Sequence, residues 1–200
     1  MKKFVIKNSG YITCHSVFYS VEDVLDEQTV YEFHRGINEM IGDIDSGIFG
    51  ISYLISMYEK IDKNTIFLPH MVQEEGTQIP LSEFTKRSCY MDTSYDLFNS
   101  EKTVRELVAE GIVSTSLPCS PEDIRDMFFM EDFRYNRPIS RTGNERFQAM
   151  AAVGFVNKKE IFCFPWLSGR RYEYYRKRLE HLCEILASED KTVILPRGKV

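Results

Sequence analysis

The residues that could do chemistry gather in one stretch, Gly42-Asp43-Ile44-Asp45-Ser46-Gly47-Ile48-Phe49. Its two glycines stand five positions apart. A short strand-like segment from Gly36 precedes them, and an apolar helical run, Ile48 to Tyr58, follows. Strand, Gly-x-x-x-x-Gly, helix is the order of a phosphate-binding loop, in which backbone N–H groups and the helix dipole cradle an anion. Such a loop continues with Lys and Ser/Thr, but here Ile48 and Phe49 hold those places. The missing Lys would add a charge-assisted contact of about 1.5–3 kcal/mol to the β/γ-phosphates, roughly 10–100-fold in affinity. The missing hydroxyl would hold Mg²⁺. Asp43 and Asp45 set carboxylates where phosphate would lie, which opposes anion binding. A shifted register, Asp45 to Gly50 followed by Ile51-Ser52, regains a hydroxyl but loses the first glycine and still lacks Lys. The stretch reads equally as a nucleotide loop stripped of its charged groups or as a Gly-rich turn with no ligand.

Elsewhere the reactive residues are scattered. The five cysteines (14, 89, 119, 163, 183) form no C-x-x-C pair and read as reduced thiols. The four histidines (15, 34, 70, 181) have no metal-ligand spacing. Arg170, Arg171, Arg176, Lys177 and Arg178 crowd one amphipathic segment striped by Tyr175, Leu179, Leu182, Ile185 and Leu186. These cations could meet phosphate or an acidic partner. The commoner use of such a face is solvation with i,i+4 pairs.

The elements that must position the loop follow from pattern. Two hundred residues with 43% hydrophobic and 28% charged content suit one globular domain. A net charge of −5 offers no general attraction to nucleic acid or an anionic membrane. The first residues show no signal peptide, and no segment is long and apolar enough to span a membrane. Phe4–Lys7 and Tyr11–Cys14 read as strands around an Asn8-Ser9-Gly10 turn, and Val17–Ser20 as another, before an acidic segment at 22–27. The run after Gly47 is apolar nearly all round, which predicts a buried helix packed on a parallel sheet. Thr65–Leu68 and Cys89–Met91 read as strands, Glu74–Thr77 as a turn, and Leu81–Arg87 as a short helix or loop. Val104–Ala109 is helical and expected to stop at Gly111. Ser120-Pro121-Glu122-Asp123 is a helix start, with Ser as N-cap and Pro at the first position. Residues 131–144 read as a loop, and Glu145–Val153 as a helix ended by Gly154. Ile161–Phe164 is strand-like, and a long helix runs to about Ala187. Thr192–Leu195 is a buried strand closed by Pro196.

In this order the elements resemble an ATP-binding-cassette domain, the nucleotide-binding subunit of ABC transporters, in truncated and degenerate form. Phe18-Tyr19 resembles the family's adenine-stacking aromatic, and Gly42–Phe49 its phosphate loop. Leu97-Phe98 with Thr103–Leu107 resembles the segment after its Gln-bearing loop, though Asp92 and Thr93 stand where the Gln would fall. Leu167-Ser168-Gly169 resembles the start of its LSGGQ signature, with Arg170-Arg171 replacing Gly-Gln. After the strand at 192–195 the family carries Asp-Glu; here Pro196 and Arg197 occupy those places.

The resemblance implies an α/β fold: a P-loop NTPase-like mixed sheet with flanking helices. It implies a single domain over 1–200, with a small helical subdomain inserted at about 99–166. It implies nucleotide contact through Tyr19, Gly42, Asp45, Ser46, Gly47, Ile48, Phe49, Ser168 and Gly169, with no catalytic residue retained. ATP would be held weakly and Mg²⁺ not tightly. Expected partners are a membrane permease, an active ABC-type ATPase or a second copy of the chain. Neither nucleic acid nor direct membrane insertion is expected, and the chain would sit in the cytoplasm, held at the membrane through a partner. Two other functions stay open: an atypical P-loop ATPase or small-molecule kinase recruiting Arg170 or Arg171, and an α/β interaction domain without nucleotide.

Overall fold

A computed structural model describes residues 3–7, 10–15, 20–25, 30–43, 46–57, 71–92 and 100–199. The first half of the chain is rich in strands: β1 (Lys3–Lys7), β2 (Gly10–His15), β3 (Ser20–Leu25), β4 (Val30–His34) and β5 (Gly36–Ile41). Helix α1 (Ile48–Met57) follows, then β6 (Met71–Glu74), β7 (Thr77–Pro80), α2 (Leu81–Lys86) and β8 (Ser88–Tyr90). The second half holds α3 (Val104–Thr115), α4 (Pro121–Met127), α5 (Asp132–Tyr135), α6 (Arg146–Val156), β9 (Ile161–Cys163), α7 (Gly169–Ser188) and β10 (Thr192–Arg197).

Among the described residues these strands build three sheets: an antiparallel sheet β4-β1-β6-β7, a parallel sheet β5-β10-β9-β8, and the pair β2-β3. The parallel sheet positions the loop. Its inner strands bury both faces, as parallel strands covered by helices must. Val193 and Leu195 of β10 and Phe162 of β9 face a cluster with α3, α6 and α7, while Ile194, Cys163 and Tyr90 face the other way, toward α1. Helix α1 is buried along Phe49–Met57, as its apolar run predicts. It lies between the parallel sheet and the antiparallel one, whose inner face supplies Phe4, Ile6, Tyr31, Phe33 and Val72. The result is the mixed α/β architecture expected from the sequence.

Several elements differ from the pattern reading. β1 pairs with β4 and β6 and β2 with β3, so the two strands flanking Asn8-Ser9 do not form a hairpin with each other. Much of the acidic segment lies in β3. Helix α3 runs through Gly111 to Thr115, because there the glycine is a contact point rather than a stop: a Cβ would sit 2.4 Å from Val156 Cγ2 of α6. Gly154 likewise lies inside α6, pressed on Cys89 Sγ and Phe162. Residues 131–144 are not a loop but form α5 and two 3₁₀ turns, the second of which reaches Glu145. Charged contacts order them: Glu145 accepts from Glu131 N at 3.0 Å and pairs with Arg134, which donates to Thr142 O at 2.7 Å. Pro196 does not end its strand, since β10 continues to Arg197 in register with Ile41. The strand expected at 65–68 lies outside the described residues.

Candidate functional site: the phosphate-loop turn

The loop grows out of β5. Its first glycine extends the parallel ladder, with Gly42 N donating to Arg197 O at 2.9 Å. Its carbonyl accepts the indole Nε1 of Trp166 at 2.8 Å, in a buried contact. Ser46 N and Ser46 Oγ both donate to Asp43 O, at 3.3 and 2.5 Å. Gly47 takes φ +75°, a conformation that favours glycine, and its carbonyl accepts from Tyr31 Oη at 3.1 Å. Helix α1 then begins at Ile48.

Side chains fill the turn. A Cβ added to Gly42 would lie 2.5 Å from Ile48 Cδ1 and 2.5 Å from Ser46 Oγ. Ile48 therefore reaches back over the loop with hydrocarbon, from the position where a phosphate loop carries its Lys. Phe49 is buried, with its ring centroid 5.4 Å from that of Trp166. Asp43 is exposed at the rim. Gly42, Ser46, Gly47, Ile48 and Phe49 are thus brought together; Tyr19 and Asp45 lie outside the described residues.

Two strands of the parallel sheet end at this loop. β10 ends in Pro196-Arg197-Gly198. β9 continues into Phe164-Pro165-Trp166, which then turns into α7. Leu167 N donates to Pro196 O and Gly198 N to Leu167 O, tying the two ends together. Ser168 is the N-cap residue of α7 but makes no side-chain cap bond, and Gly169 is buried with its N 3.1 Å from a Cβ built on Gly198. Ser168 and Gly169 therefore sit directly beyond Trp166, beside the loop of their own chain. The end of β10, after 192–195, is where the acids are expected, and it carries Pro196-Arg197. The end of β9 flanks the loop equally, and it too brings no carboxylate.

Arg197 touches the loop through its backbone, accepting from Gly42 N, and its guanidinium is committed elsewhere. Its Nε donates to Glu39 at 2.5 Å, its guanidinium lies over the Tyr172 ring at 4.6 Å, and the Glu39 contact raises it further above the usual arginine value. Arg170 and Arg171 are exposed on the first turn of α7. No cluster of three or more metal-ligating side chains occurs among the described residues. The buried thiols are poor nucleophiles, since desolvation pushes Cys89 and Cys183 up to about 12. The sequence pattern does not point to Trp166, Tyr31 or Glu39, and it marks Arg197 only as standing where an acid would. One signal was there to use: Ile161–Phe164, a second strand of buried type, ends at Pro165 and the single tryptophan.

No sequence-family profile matches the chain, and no curated protein matches it in sequence. Solved structures do match it. A Pyrococcus furiosus protein described as an ABC transporter ATP-binding protein superposes with a TM-score of 0.62 at 15% identity, over 100% of this chain and 92% of the other. The ATP-binding cassette MJ0796, as a dimer bound to ADP and Pi in a post-hydrolysis state, superposes with a TM-score of 0.60 at 15% identity, over 100% and 88%. A second dimeric structure of MJ0796, a bacterial ABC transporter cassette, gives 0.60 at 14% over 98% and 88%. The chain has the fold of an ATP-binding cassette. In this cassette fold the glycines of the loop are kept, while Ile48, Phe49, Trp166 and Pro196 surround them. No helix among the described residues is long and apolar enough to cross a membrane.

Proposed function

We propose that this chain is a non-hydrolysing cassette-like subunit, which works beside a membrane permease or an active ABC-type ATPase. The observation that carries this reading is Ile48 lying against Gly42 where a phosphate loop needs Lys, with no acid at either flanking strand end. Turnover requires charge on the transferred phosphoryl group, a held Mg²⁺ and an oriented water. Here those places carry hydrocarbon, proline, or an arginine tied to Glu39. The chain would act as one domain, with the helices between β8 and β9 as its helical insertion. ATP, stacked on Tyr19 and touching the loop and Ser168-Gly169, would bind weakly, with Mg²⁺ loosely held. The dimeric state of the MJ0796 cassettes supports association with a second cassette, a copy of this chain or an active one. A place at the cytoplasmic face of a membrane follows from a permease partner.

The test is phosphate release from ATP by the purified chain, with and without Mg²⁺. Release at the rate of a protein-free control is expected. Mg²⁺-dependent release that falls when Arg170 and Arg171 are changed to Ala would overturn the proposal and install an enzyme that recruits those cations.

A further inference from the structure

The exposed side of α7 carries features that neither the fold nor the loop explains. Arg170, Arg171, Arg176, Lys177 and Arg178 are exposed on its first half, against a single exposed acid there, Glu173. The first turn holds no acid. Cations at a helix N-terminus oppose the macrodipole, so this charge does not serve the helix. Nor are Lys177 and Arg178 absorbed by i,i+4 ion pairs. The ion pairs among the helix's own charges are Glu173–Arg176 at 3.6 Å and His181–Glu184 at 3.9 Å. Among the described residues Lys177 has no ion-pair partner, and Arg178 makes a long contact to Asn144 O at 3.5 Å and lies within electrostatic reach of the Glu145 carboxyl.

Lys177 and Arg178 form a ridge between two shallow grooves of about 390 and 360 Å³. An aromatic side chain stands at the edge of each. Tyr174, 72% exposed, edges one groove; Phe129, 66% exposed, edges the other and packs against His181 with ring centroids 4.7 Å apart. Phe129 has φ +50° just after α4, where a helix end normally places Gly or Asn. A bulky residue held in that region is a backbone outlier. Here it displays an apolar ring to solvent, so neither local conformation nor burial accounts for it.

We propose that this face is a docking site for an acidic peptide segment with an apolar anchor, carried by a protein partner. Carboxylates of the segment would meet Lys177 and Arg178, and an aliphatic or aromatic side chain would lie against Phe129 or Tyr174. A flat anionic membrane fits less well. Glu131 lines the Phe129 groove and Glu180 and Glu184 are exposed further along α7, so a sheet of negative headgroups would meet all of them at once. A peptide can place its charges selectively. This inference does not depend on nucleotide binding.

The test uses the full chain on an array of peptides of about ten residues, the scale of short groove-binding segments, graded in Asp/Glu and in aromatic content. The strongest binders should combine both, and affinity should fall with salt. Lys177→Glu with Arg178→Glu should weaken binding at least about tenfold, the scale of truncating close charge pairs across an interface, with an unchanged melting temperature. Phe129→Gly separates recognition from structure: it relieves the backbone, so it should raise the melting temperature while weakening binding. Binding that ignores acid content, or that survives the double charge reversal, overturns the proposal. So does capture by phosphatidylserine vesicles with the same residue dependence, which would assign the face to a membrane.

Discussion

Replacing Trp166 with Phe tests the tie between the sheet and the loop. Trp166 is 6% exposed, and its indole N–H is the donor described for the buried carbonyl of Gly42. Phe keeps an aromatic ring near Phe49 but removes that donor. Leaving a buried acceptor unmatched costs about 1–3 kcal/mol. The smaller ring also gives up roughly 1 kcal/mol of buried apolar contact. A total of about 2–4 kcal/mol in a chain of this size corresponds to a fall in Tm of roughly 5–15 °C. Calorimetry measures the total, and hydrogen exchange localises it. Amides of residues 42 and 46–49 should exchange faster, while those of α6 keep their relative protection. A fall below about 2 °C with unchanged exchange at the loop would refute the view that Trp166 holds it closed.

Other substitutions probe the packing that places the sheet. Gly111→Ala gains roughly 1 kcal/mol of helix propensity but drives a methyl against the buried Val156 of α6. Overpacking of about 1–3 kcal/mol should win, so chemical denaturation should show net loss, largely recovered by adding Val156→Ala; a stabilised single variant would contradict the close approach. Burial raises the Glu145 carboxyl above its ordinary value of 4.5, against the opposing pull of Glu131 N–H and Arg134. The native state then keeps a proton that the unfolded chain has lost. Stability from this group is present below 4.5 and is lost as pH rises through the raised value. The stability difference between wild type and Glu145→Gln should therefore decline with rising pH across that window and then level off; a flat or rising difference would show the carboxyl is not desolvated. Ser120→Ala removes a capping box in which Ser120 Oγ accepts from Asp123 N, and should cost about 1 kcal/mol in a urea titration.

Local signals made much of this fold legible. The strand–glycine–helix order located β5, the loop and α1, because periodicity and glycine spacing are set by the residues involved. Ser120-Pro121 marked the start of α4 for the same reason. What pattern could not give was what lies across space. Gly111 and Gly154 look like helix stops until the facing Val156 and Phe162 are seen. Residues 131–144 look like loop because their order comes from Arg134 and Glu145 rather than an apolar stripe. Nothing local could assign β1 to β4 and β6 rather than β2.

The site was half legible. The loss of Lys and hydroxyl at Ile48 and Phe49 is written in the chain, and so is the absence of acids at Pro196-Arg197. That a second strand end, with Trp166, also closes on Gly42 depends on β9 lying next to β10. That adjacency is a property of the sheet and not of either segment.

The most direct measurement is a calorimetric titration of wild type and Ile48→Lys with ATP, each with and without Mg²⁺. If hydrocarbon in place of the loop's Lys disables the site, wild type binds ATP weakly and indifferently to Mg²⁺. Ile48→Lys should then tighten binding by roughly 10–100-fold, the value of one charge-assisted phosphate contact, still without hydrolysis. Tight, Mg²⁺-dependent binding by wild type, with no gain on adding Lys, would contradict the account.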